Sequence, residues 1–149
     1  MEITGKFKIN GSRQEVWDVL NDPDALANAL PGADRLIEES PDRYRAEMSV
    51  GVGIIRGRFT GNVAVLDKVP QESYRMIVDG DGGAGWLKGD GKIRLTDSGT
   101  SETQIDVEGE ASVGGLLGRV GQRMVRNVAN NLMKQFFQNV EKQVAARRS

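Results

Sequence analysis

Apolar and polar residues alternate along most of the first 114 positions of the chain. The first such segment, residues 2–9, places Ile3, Phe7 and Ile9 on one side and polar residues on the other, as in a half-buried strand. Six further segments follow, at residues 36–39, 44–50, 59–65, 74–78, 87–95 and 105–111. Because each strand has one apolar and one charged side, the pattern predicts a seven-stranded antiparallel sheet with one wet face. The strands after residue 35 should form a meander, since no helical segment interrupts them.

Two short helices are predicted after the first strand. Ser12 followed by Glu15 has the spacing of a capping box and predicts a helix from about Arg13. Asp22 before Pro23 predicts a second helix, because these residue types favour the cap and the first turn.

The C-terminal segment, from about Gly115 to Arg147, has apolar residues at every fourth position and no proline. This pattern predicts one long helix. Since a helix has 3.6 residues per turn, the apolar face rotates along its length, and its two halves should contact different parts of the sheet. Only residues 146–149 are expected to form a flexible tail. The whole chain, 1–149, is expected to be a single α+β domain.

The absence of cysteine and histidine excludes several kinds of chemistry. No disulfide framework, Cys/His zinc site, Cys nucleophile or His-based triad can be built. The sequence has no run of about eighteen apolar residues and no apolar signal core at its start, so we expect a cytoplasmic protein.

Two motifs resemble ligand sites but favour simpler interpretations. The glycine-rich segment 80–85 lacks the Gly-Lys-Ser/Thr ending of a phosphate loop and is better interpreted as a mobile hairpin tip. The carboxylates Asp79, Asp81 and Asp90 do not have calcium-loop spacing and are better interpreted as solvated charges, so no metal site is predicted.

Charge is distributed unevenly. Residues 115–149 contain seven basic residues and one acid, although the whole chain has a net charge of −1. A basic helix face made of Arg119, Arg123, Arg126 and Lys134 is a candidate surface for an anionic membrane or an acidic partner; the alternative is a solvated outer face. Nucleic acid is not expected, because no aromatic residues are interleaved with the charges for base stacking.

Six short stretches, in order, resemble the CoxG family of carbon monoxide dehydrogenase subunits. They are Val16–Pro23, Leu30–Ala33, Arg56–Gly61, Gly82–Gly89, Val113–Gly118 and Gln135–Phe137. The order of elements also resembles the START-like helix-grip superfamily, which is known too as the polyketide cyclase/lipid-transport superfamily. The resemblance implies a curved sheet closed by the long helix over an apolar cavity, a lipid, isoprenoid or quinone ligand, and an accessory or membrane-recruitment role for a molybdenum hydroxylase such as carbon monoxide dehydrogenase. It supplies no catalytic residues.

The leading hypothesis is therefore a noncatalytic carrier, cytoplasmic or bound at the inner face of the membrane. Glycine is abundant, at 19 residues, and a sheet with few large side chains fills space poorly; the alternative is glycines in turns and bulges. Asn131 is expected to offer one polar group, and the glycine-rich tip with the Pro31-Gly32 turn should form the mouth. The residues expected to line the cavity are Leu26, Leu30, Met48, Phe59, Met76, Val78, Trp86, Leu87, Val107, Leu117, Val120, Met124, Val128 and Asn131.

Two alternatives remain open on the sequence alone. A cyclase or hydrolase would use Tyr, Asp or Arg inside the same cavity, although only small or apolar residues stand at the inward positions of the best-defined strands. A pure docking module would have a filled core and a basic helix that meets an acidic protein. The methionines Met48, Met76 and Met124 fit either a ligand pocket or ordinary core filling.

Overall fold

The computed structural model describes residues 1–52 and 55–148. The strands are β1 Glu2–Asn10, β2 Ala33–Ser40, β3 Arg43–Val52, β4 Ile55–Val69, β5 Ser73–Gly82, β6 Gly85–Asp97 and β7 Glu102–Gly114. The helices are α1 Arg13–Leu20, α2 Pro23–Ala29, α3 Leu116–Arg119 and α4 Gln122–Arg147.

The seven strands form one antiparallel sheet, in the order β1-β7-β6-β5-β4-β3-β2. The predicted meander is confirmed, and β1 pairs with β7 at one edge. Several strands are longer than the alternating segments that predicted them, because the ladder continues through their polar flanks. In β2, for example, pairing with β3 runs from Ala33 to Ser40, whereas the alternation covers only residues 36–39.

The two short helices begin where their capping residues predict. In α1 the Ser12 hydroxyl accepts a hydrogen bond from the Glu15 N–H at 3.1 Å, and the Glu15 carboxylate accepts one from the Ser12 N–H at 3.0 Å. In α2 the Asp22 carboxylate accepts a hydrogen bond from the Asp24 N–H at 3.0 Å. These bonds satisfy N–H groups that a helix leaves unpaired at its start.

The prediction of one continuous helix over residues 115–147 is wrong. The helical turn α3 ends at Arg119, and α4 begins at Gln122 after Gly121, whose φ of 92° and ψ of 152° are not helical. That backbone region is essentially restricted to glycine. Apolar residues keep their four-residue spacing across the break, which is why the pattern did not reveal it.

The long helix α4 packs mainly against β1, α1 and α2. Its buried face rotates as the spacing predicts. Val128 near its beginning joins one apolar cluster, whereas Phe137, Val140 and Val144 near its end join another. The amide of Asn139 also donates a hydrogen bond to the carbonyl of Ala29 at 3.0 Å, which ties α4 to α2.

The two clusters occupy opposite ends of the sheet. The small core contains Ile55, Leu117 and Val128 and lies at the end where β5 turns into β6, which we call the tip end. The large core lies at the opposite end and contains an edge-to-face contact between Trp17 and Tyr74, with ring centroids 5.9 Å apart. Its buried members are Ile9, Val16, Trp17, Val19, Leu20, Ala25, Ala29, Tyr74, Ile93, Leu95, Ile105, Phe137, Val140 and Val144.

Residues 146–148 are not the free tail that we predicted, and Ser149 lies outside the described residues. Helix α4 continues to Arg147, which forms an ion pair with Asp22. Arg148 donates two hydrogen bonds of 2.6 Å to the Glu15 carboxylate. The side chains of α1 and α2 thus fix the end of α4, an arrangement that single-sequence periodicity cannot show.

Candidate functional site

Small residues occupy the middle of the helix-facing side of the sheet. One row of paired residues across four strands reads Val63, Val78, Gly89 and Ala111, and the neighbouring rows hold Gly61, Gly80, Gly91 and Gly109. We call these the middle rows. They lie between the large core and the small core.

The space above the middle rows is sparsely filled by the described residues. A Cβ built at Gly89 would have only the Glu110 carbonyl oxygen within 4 Å, at 3.9 Å, and one at Gly61 would meet only backbone atoms of the adjacent strand. Near the large core the opposite holds: a Cβ at Gly11 would lie 2.8 Å from Val144 of α4. Helix α4 therefore contacts the sheet closely at Gly11 and has no atom within 4 Å of a Cβ built at Gly61 or Gly89.

The predicted cavity residues fall into three groups, which are buried, partly buried and exposed. Leu117 and Val128 are buried in the small core. Ten others are partly buried; they are Leu26, Leu30, Met48, Phe59, Met76, Val78, Leu87, Val107, Val120 and Met124. Phe59, Val120 and Met124 pack against the small core, and Met76 and Val107 against the large core. Leu26, Leu30, Met48, Val78 and Leu87 are partly buried and belong to neither apolar cluster.

Trp86 does not belong to the predicted cavity. It shares the outer side of β6 with Lys88 and Asp90, because successive residues of a strand point to opposite faces. Its ring lies over Gly114, where a Cβ would come within 2.2 Å of the indole Nε1. The residue is 42% exposed.

Asn131 is also misplaced in the prediction. It is exposed, and its amide oxygen accepts a hydrogen bond from the Gln135 side chain at 2.6 Å. Asn131 shares the helix phase of Met124, but by that point the apolar face has rotated toward Leu132, about 100° away on an ideal helix. The inward polar group expected from helix phase alone is therefore on the surface.

Sequence reasoning also missed several residues of the middle rows. Val63 and Ala111 lie at the two ends of the row that contains Val78 and Gly89 and face the helix, yet they were not among the candidate residues. Strand parity alone could have identified both.

The basic residues of the C-terminal segment do not form one face. Arg119 ends α3 and Arg123 lies in the first turn of α4, both exposed at the tip end and without a hydrogen bond or ion pair to the described part of the chain. Arg126 donates to the Glu2 carbonyl at 3.3 Å. Lys134 lies further along α4, beside a groove that also contains Lys6 and Lys8 of β1.

Two phenols are buried in the body of the protein. Burial raises the pKa of the Tyr74 hydroxyl, and burial together with Glu38 and Asp42 raises the pKa of Tyr44. Both groups are therefore neutral near pH 7. Among residues 1–52 and 55–148, no cluster of three acidic residues is arranged to hold a metal ion.

Three surface grooves are lined mainly by residues outside the middle rows, although Gly91 lines the second. Two are lined mainly by charged and polar residues of β1, β4, β5, β6 and β7, and the third runs between β1 and α4. Of the predicted cavity residues, only Val107 lines one of these three grooves. No helix in the described ranges is long and apolar enough to span a bilayer.

The two segments predicted to form a mouth lie at the same end of the sheet, with β3 and β4 between them. Gly32 accepts a hydrogen bond from the Ser49 N–H at 2.8 Å. One row runs from Ala33 through Met48 and Phe59 to Gly82, which places the Pro31-Gly32 turn and the glycine-rich hairpin at the tip end.

Solved structures with the same architecture define the class of fold. A START superfamily protein from Mycobacterium smegmatis matches with a TM-score of 0.75 at 14% identity, covering 97% of each chain. An aromatase/cyclase from a Streptomyces species matches with a TM-score of 0.67 at 14% identity, covering 100% of this chain and 96% of that one. The chain therefore has the START-like helix-grip fold.

More specific similarity identifies the family. The family model for CoxG, a carbon monoxide dehydrogenase subunit, matches residues 5–145, and the chain belongs to this family. A conserved protein from Geobacillus kaustophilus is 32% identical, with a TM-score of 0.93 over 98% of this chain and 96% of that one. No protein with a curated description matches the sequence.

Proposed function

We propose that the protein is a noncatalytic carrier of an apolar small molecule, which binds between the middle rows and α4. The ligand class is a lipid, an isoprenoid or a quinone. The observation that carries the proposal is that a Cβ built at Gly61 or Gly89 would meet only backbone atoms of the adjacent strand and no atom of α4, on a surface that also carries partly buried apolar side chains such as Met48, Val78 and Leu87. Water in contact with that surface is displaced when an apolar ligand binds, which favours binding by about 25 cal/mol per Å².

A carrier agrees better with the helix-facing chemistry than an enzyme does. Tyr44 and Tyr74 supply hydroxyl groups on that side, and their raised pKa values disfavour the phenolate needed for base catalysis near neutrality. The other helix-facing positions nearby are apolar or glycine; they are Met76, Val78 and Gly80 of β5 and Leu87, Gly89 and Gly91 of β6. These residues can surround a hydrocarbon but offer little for proton transfer.

We further propose that the protein serves a molybdenum hydroxylase such as carbon monoxide dehydrogenase. Membership of the CoxG family supports this role. A quinone is the ligand that best fits an electron-transferring partner, since it accepts two electrons and remains apolar. The groove between β1 and α4, with Lys6, Lys8 and Lys134, offers positive charge to an acidic surface of that enzyme.

The carrier proposal is tested by solvent extraction of the purified protein and mass spectrometry. Wild-type protein should yield a stoichiometric apolar compound. Gly89→Leu should retain the fold but lose at least tenfold of that compound, because a leucine there has room and fills the space over the middle rows. Thr96→Leu is the matched control, because it adds the same side chain to the exposed outer side of β6. Equal ligand content in the two variants, or none in the wild type, would contradict the carrier.

The accessory role has a separate readout. Protein loaded with a quinone should accelerate quinone reduction by purified carbon monoxide dehydrogenase in the presence of carbon monoxide, whereas Gly89→Leu should not. If the ligand-loaded carrier does not accelerate this reduction, the proposed partner is wrong, whereas the carrier proposal is unaffected.

A further inference from the structure

Strand β1 lies at one edge of the sheet, and half of its backbone groups face away from β7. The hydrogen bonds between the two strands involve odd-numbered residues on the β1 side, since the Gly11 N–H donates to the Ser101 carbonyl and the Met1 carbonyl accepts from the Ala111 N–H. Antiparallel pairing alternates along a strand. The N–H and C=O groups of the even-numbered residues of β1 therefore point outward.

Two long side chains of α4 occupy the ends of this outward row. The Asn10 N–H donates to the Glu141 carboxylate at 2.8 Å, and the Glu2 carbonyl accepts from the Arg126 side chain at 3.3 Å. Both contacts agree with the outward direction of the even-numbered backbone groups. The first and the last outward positions of β1 are thus already used within the protein.

Three outward positions lie between these two contacts, and no hydrogen bond from the described part of the chain reaches their backbone groups; they are Thr4, Lys6 and Lys8. We call this segment the β1 edge. A regular row of free backbone donors and acceptors is a template for another strand. The side chains around the edge therefore determine which strand it can accept.

The opposite edge of the sheet is a much less regular template. Strand β2 has two shifts of register against β3, one after Ala33 and one after Glu38. Irregularities of this kind interrupt the backbone row and protect an edge from pairing. Strand β1, in contrast, pairs with β7 without a shift over its whole length. A strand added to this sheet is therefore expected at β1.

The β1 edge opens into the groove between β1 and α4. This groove has a volume of about 320 Å³, and it is lined by Phe7 and Phe137, whose ring centroids lie 4.8 Å apart. Lys134 lines its α4 side, and Lys6 and Lys8 line its β1 side. The groove thus combines aromatic rings with three positive charges.

The aromatic and the basic side chains lie on different sides of the β1 edge. Lys6 and Lys8 are exposed on the outer side of β1, whereas Phe7 between them faces α4. Neither lysine forms an ion pair with the described residues. The carboxylate of Glu141, which also lines the groove, already accepts the Asn10 N–H. A strand added here would have alternate side chains beside the lysines and beside the aromatic rings.

We infer that the β1 edge binds an extended acidic segment of a partner protein as an eighth strand. Its acidic side chains lie beside Lys6 and Lys8, and its apolar side chains lie over Phe7. Main-chain hydrogen bonds supply affinity in this mode of recognition, and alternate side chains supply specificity. The inference rests on the accessory role proposed above, and it specifies which part of the partner enzyme is recognised.

A second copy of the chain fits the β1 edge poorly. Antiparallel pairing that overlaps the whole edge about a two-fold axis sets Lys6 against the same residue of the other copy. Like charges directly opposite each other destabilise a strand pair. An acidic segment has the complementary charge.

Binding of short peptides to the full-length protein tests the inference. The probe is a fluorescein-labelled peptide in which glutamate and valine alternate, and fluorescence anisotropy at low salt measures its binding. A peptide with lysine in place of glutamate should bind about tenfold more weakly, because it meets like charge at Lys6 and Lys8. Equal binding of the two peptides would contradict the proposed recognition.

Methylation of backbone nitrogens distinguishes strand addition from simple charge attraction. In an extended peptide the glutamate N–H groups lie on one edge and the valine N–H groups lie on the other. Methylation of all glutamate nitrogens blocks the first edge, and methylation of all valine nitrogens blocks the second. Only one of the two methylated peptides should lose binding, because only one edge faces β1. Two methylated peptides that bind equally would overturn the inference.

Substitutions in β1 test the same contact from the side of the protein. Lys6→Gln with Lys8→Gln should weaken peptide binding about tenfold, or about threefold for each charge. Arg43→Gln with Arg45→Gln is the matched control, since it removes two exposed charges with the same spacing from β3 and should leave binding unchanged. Binding that survives the double lysine variant would contradict the proposed site.

A proline in β1 tests the backbone contact. Lys6→Pro should weaken binding about tenfold more than Lys6→Gln does, because proline removes an outward N–H and no hydrogen bond to β7. Equal effects of the two substitutions would mean that the Lys6 N–H does not pair with the peptide. If Lys6→Pro does not fold, the methylated peptides test the same backbone contact.

The outcomes separate this contact from the proposed function. If no peptide binds but quinone-loaded wild-type protein accelerates the reaction of carbon monoxide dehydrogenase, the accessory role stands and the β1 edge is not the contact. If the acidic peptide binds in the predicted way without such acceleration, the binding site stands and the proposed partner enzyme is wrong.

Discussion

At the scale of single residues, Glu15 connects the beginning of α1 to the end of the chain. Its carboxylate accepts hydrogen bonds from Arg148 and from the Ser12 N–H, and these bonds lower its pKa from the ordinary 4.5 to about 2. The folded state therefore binds this proton less readily than the unfolded chain does. The resulting contribution to stability is complete above about pH 4.5 and is lost as the pH falls toward 2.

Glu15→Gln should reveal this linkage. We expect the variant to unfold at a lower temperature than wild type at pH 7, because it loses the ion pair with Arg148 and weakens the cap. The difference should shrink between pH 4.5 and pH 2, where the wild type loses the same contribution. Thermal denaturation across that pH range measures it, with Glu39→Gln on the exposed side of β2 as control. Denaturation temperatures that differ by a constant amount at every pH would refute the linkage.

The positions of single side chains were predictable only where one local rule decided them. Strand parity placed Met48, Val78 and Leu87 correctly on the helix-facing side. Parity also puts Trp86 outside, and assigning it to the cavity because of its aromatic character was a mistake against that rule. The contact between its ring and Gly114 depends on the register between β6 and β7, which could not be predicted from the sequence.

At the scale of elements, alternation predicted the strands well and apolar spacing misjudged the last helix. A period of two is clearest in β1 and β6, where exposed and covered positions alternate along nearly the whole strand. The helical pattern depends only on the spacing of apolar residues. A break in the backbone that preserves this spacing therefore leaves the pattern unchanged. The glycines at 115, 118 and 121 were the available signal for the break, although a single glycine is tolerated inside a helix.

The break between α3 and α4 makes a prediction for two neighbouring glycines. Gly121→Ala should destabilise the protein by about 1–3 kcal/mol, because a φ of 92° is unfavourable for alanine. The cost should be backbone strain alone, since no atom lies within 4 Å of the added Cβ. Urea denaturation gives the free energy of unfolding.

Gly118→Ala is the matched control for this prediction. It lies inside α3, its built Cβ has an ordinary contact of 3.5 Å with the Val113 carbonyl oxygen, and alanine favours helix. We expect it to be neutral or slightly stabilising. Equal effects of the two substitutions would show that Gly121 does not impose the break.

At the scale of the whole molecule, α4 contributes to two separate apolar clusters, one at each end of the sheet. Phe137, Val140 and Val144 fasten α4 over the large core, and Val128 reaches the small core. The sequence indicated small side chains in the middle of the sheet. It could not indicate how far α4 stands above them, because that distance depends on how α1, α2 and β1 hold the helix.

This arrangement predicts where a bound ligand stabilises the fold. Removal of the apolar ligand should increase amide hydrogen exchange in residues 76–80, 87–91 and 26–30, which border the middle rows. Residues 103–106 and 137–144 should change little, since the large core packs without the ligand. Restoring the ligand at a hundredfold excess over its Kd should stabilise the protein by about 2.7 kcal/mol. Exchange that rises equally in both regions would mean that the ligand stabilises the molecule from somewhere other than the middle rows.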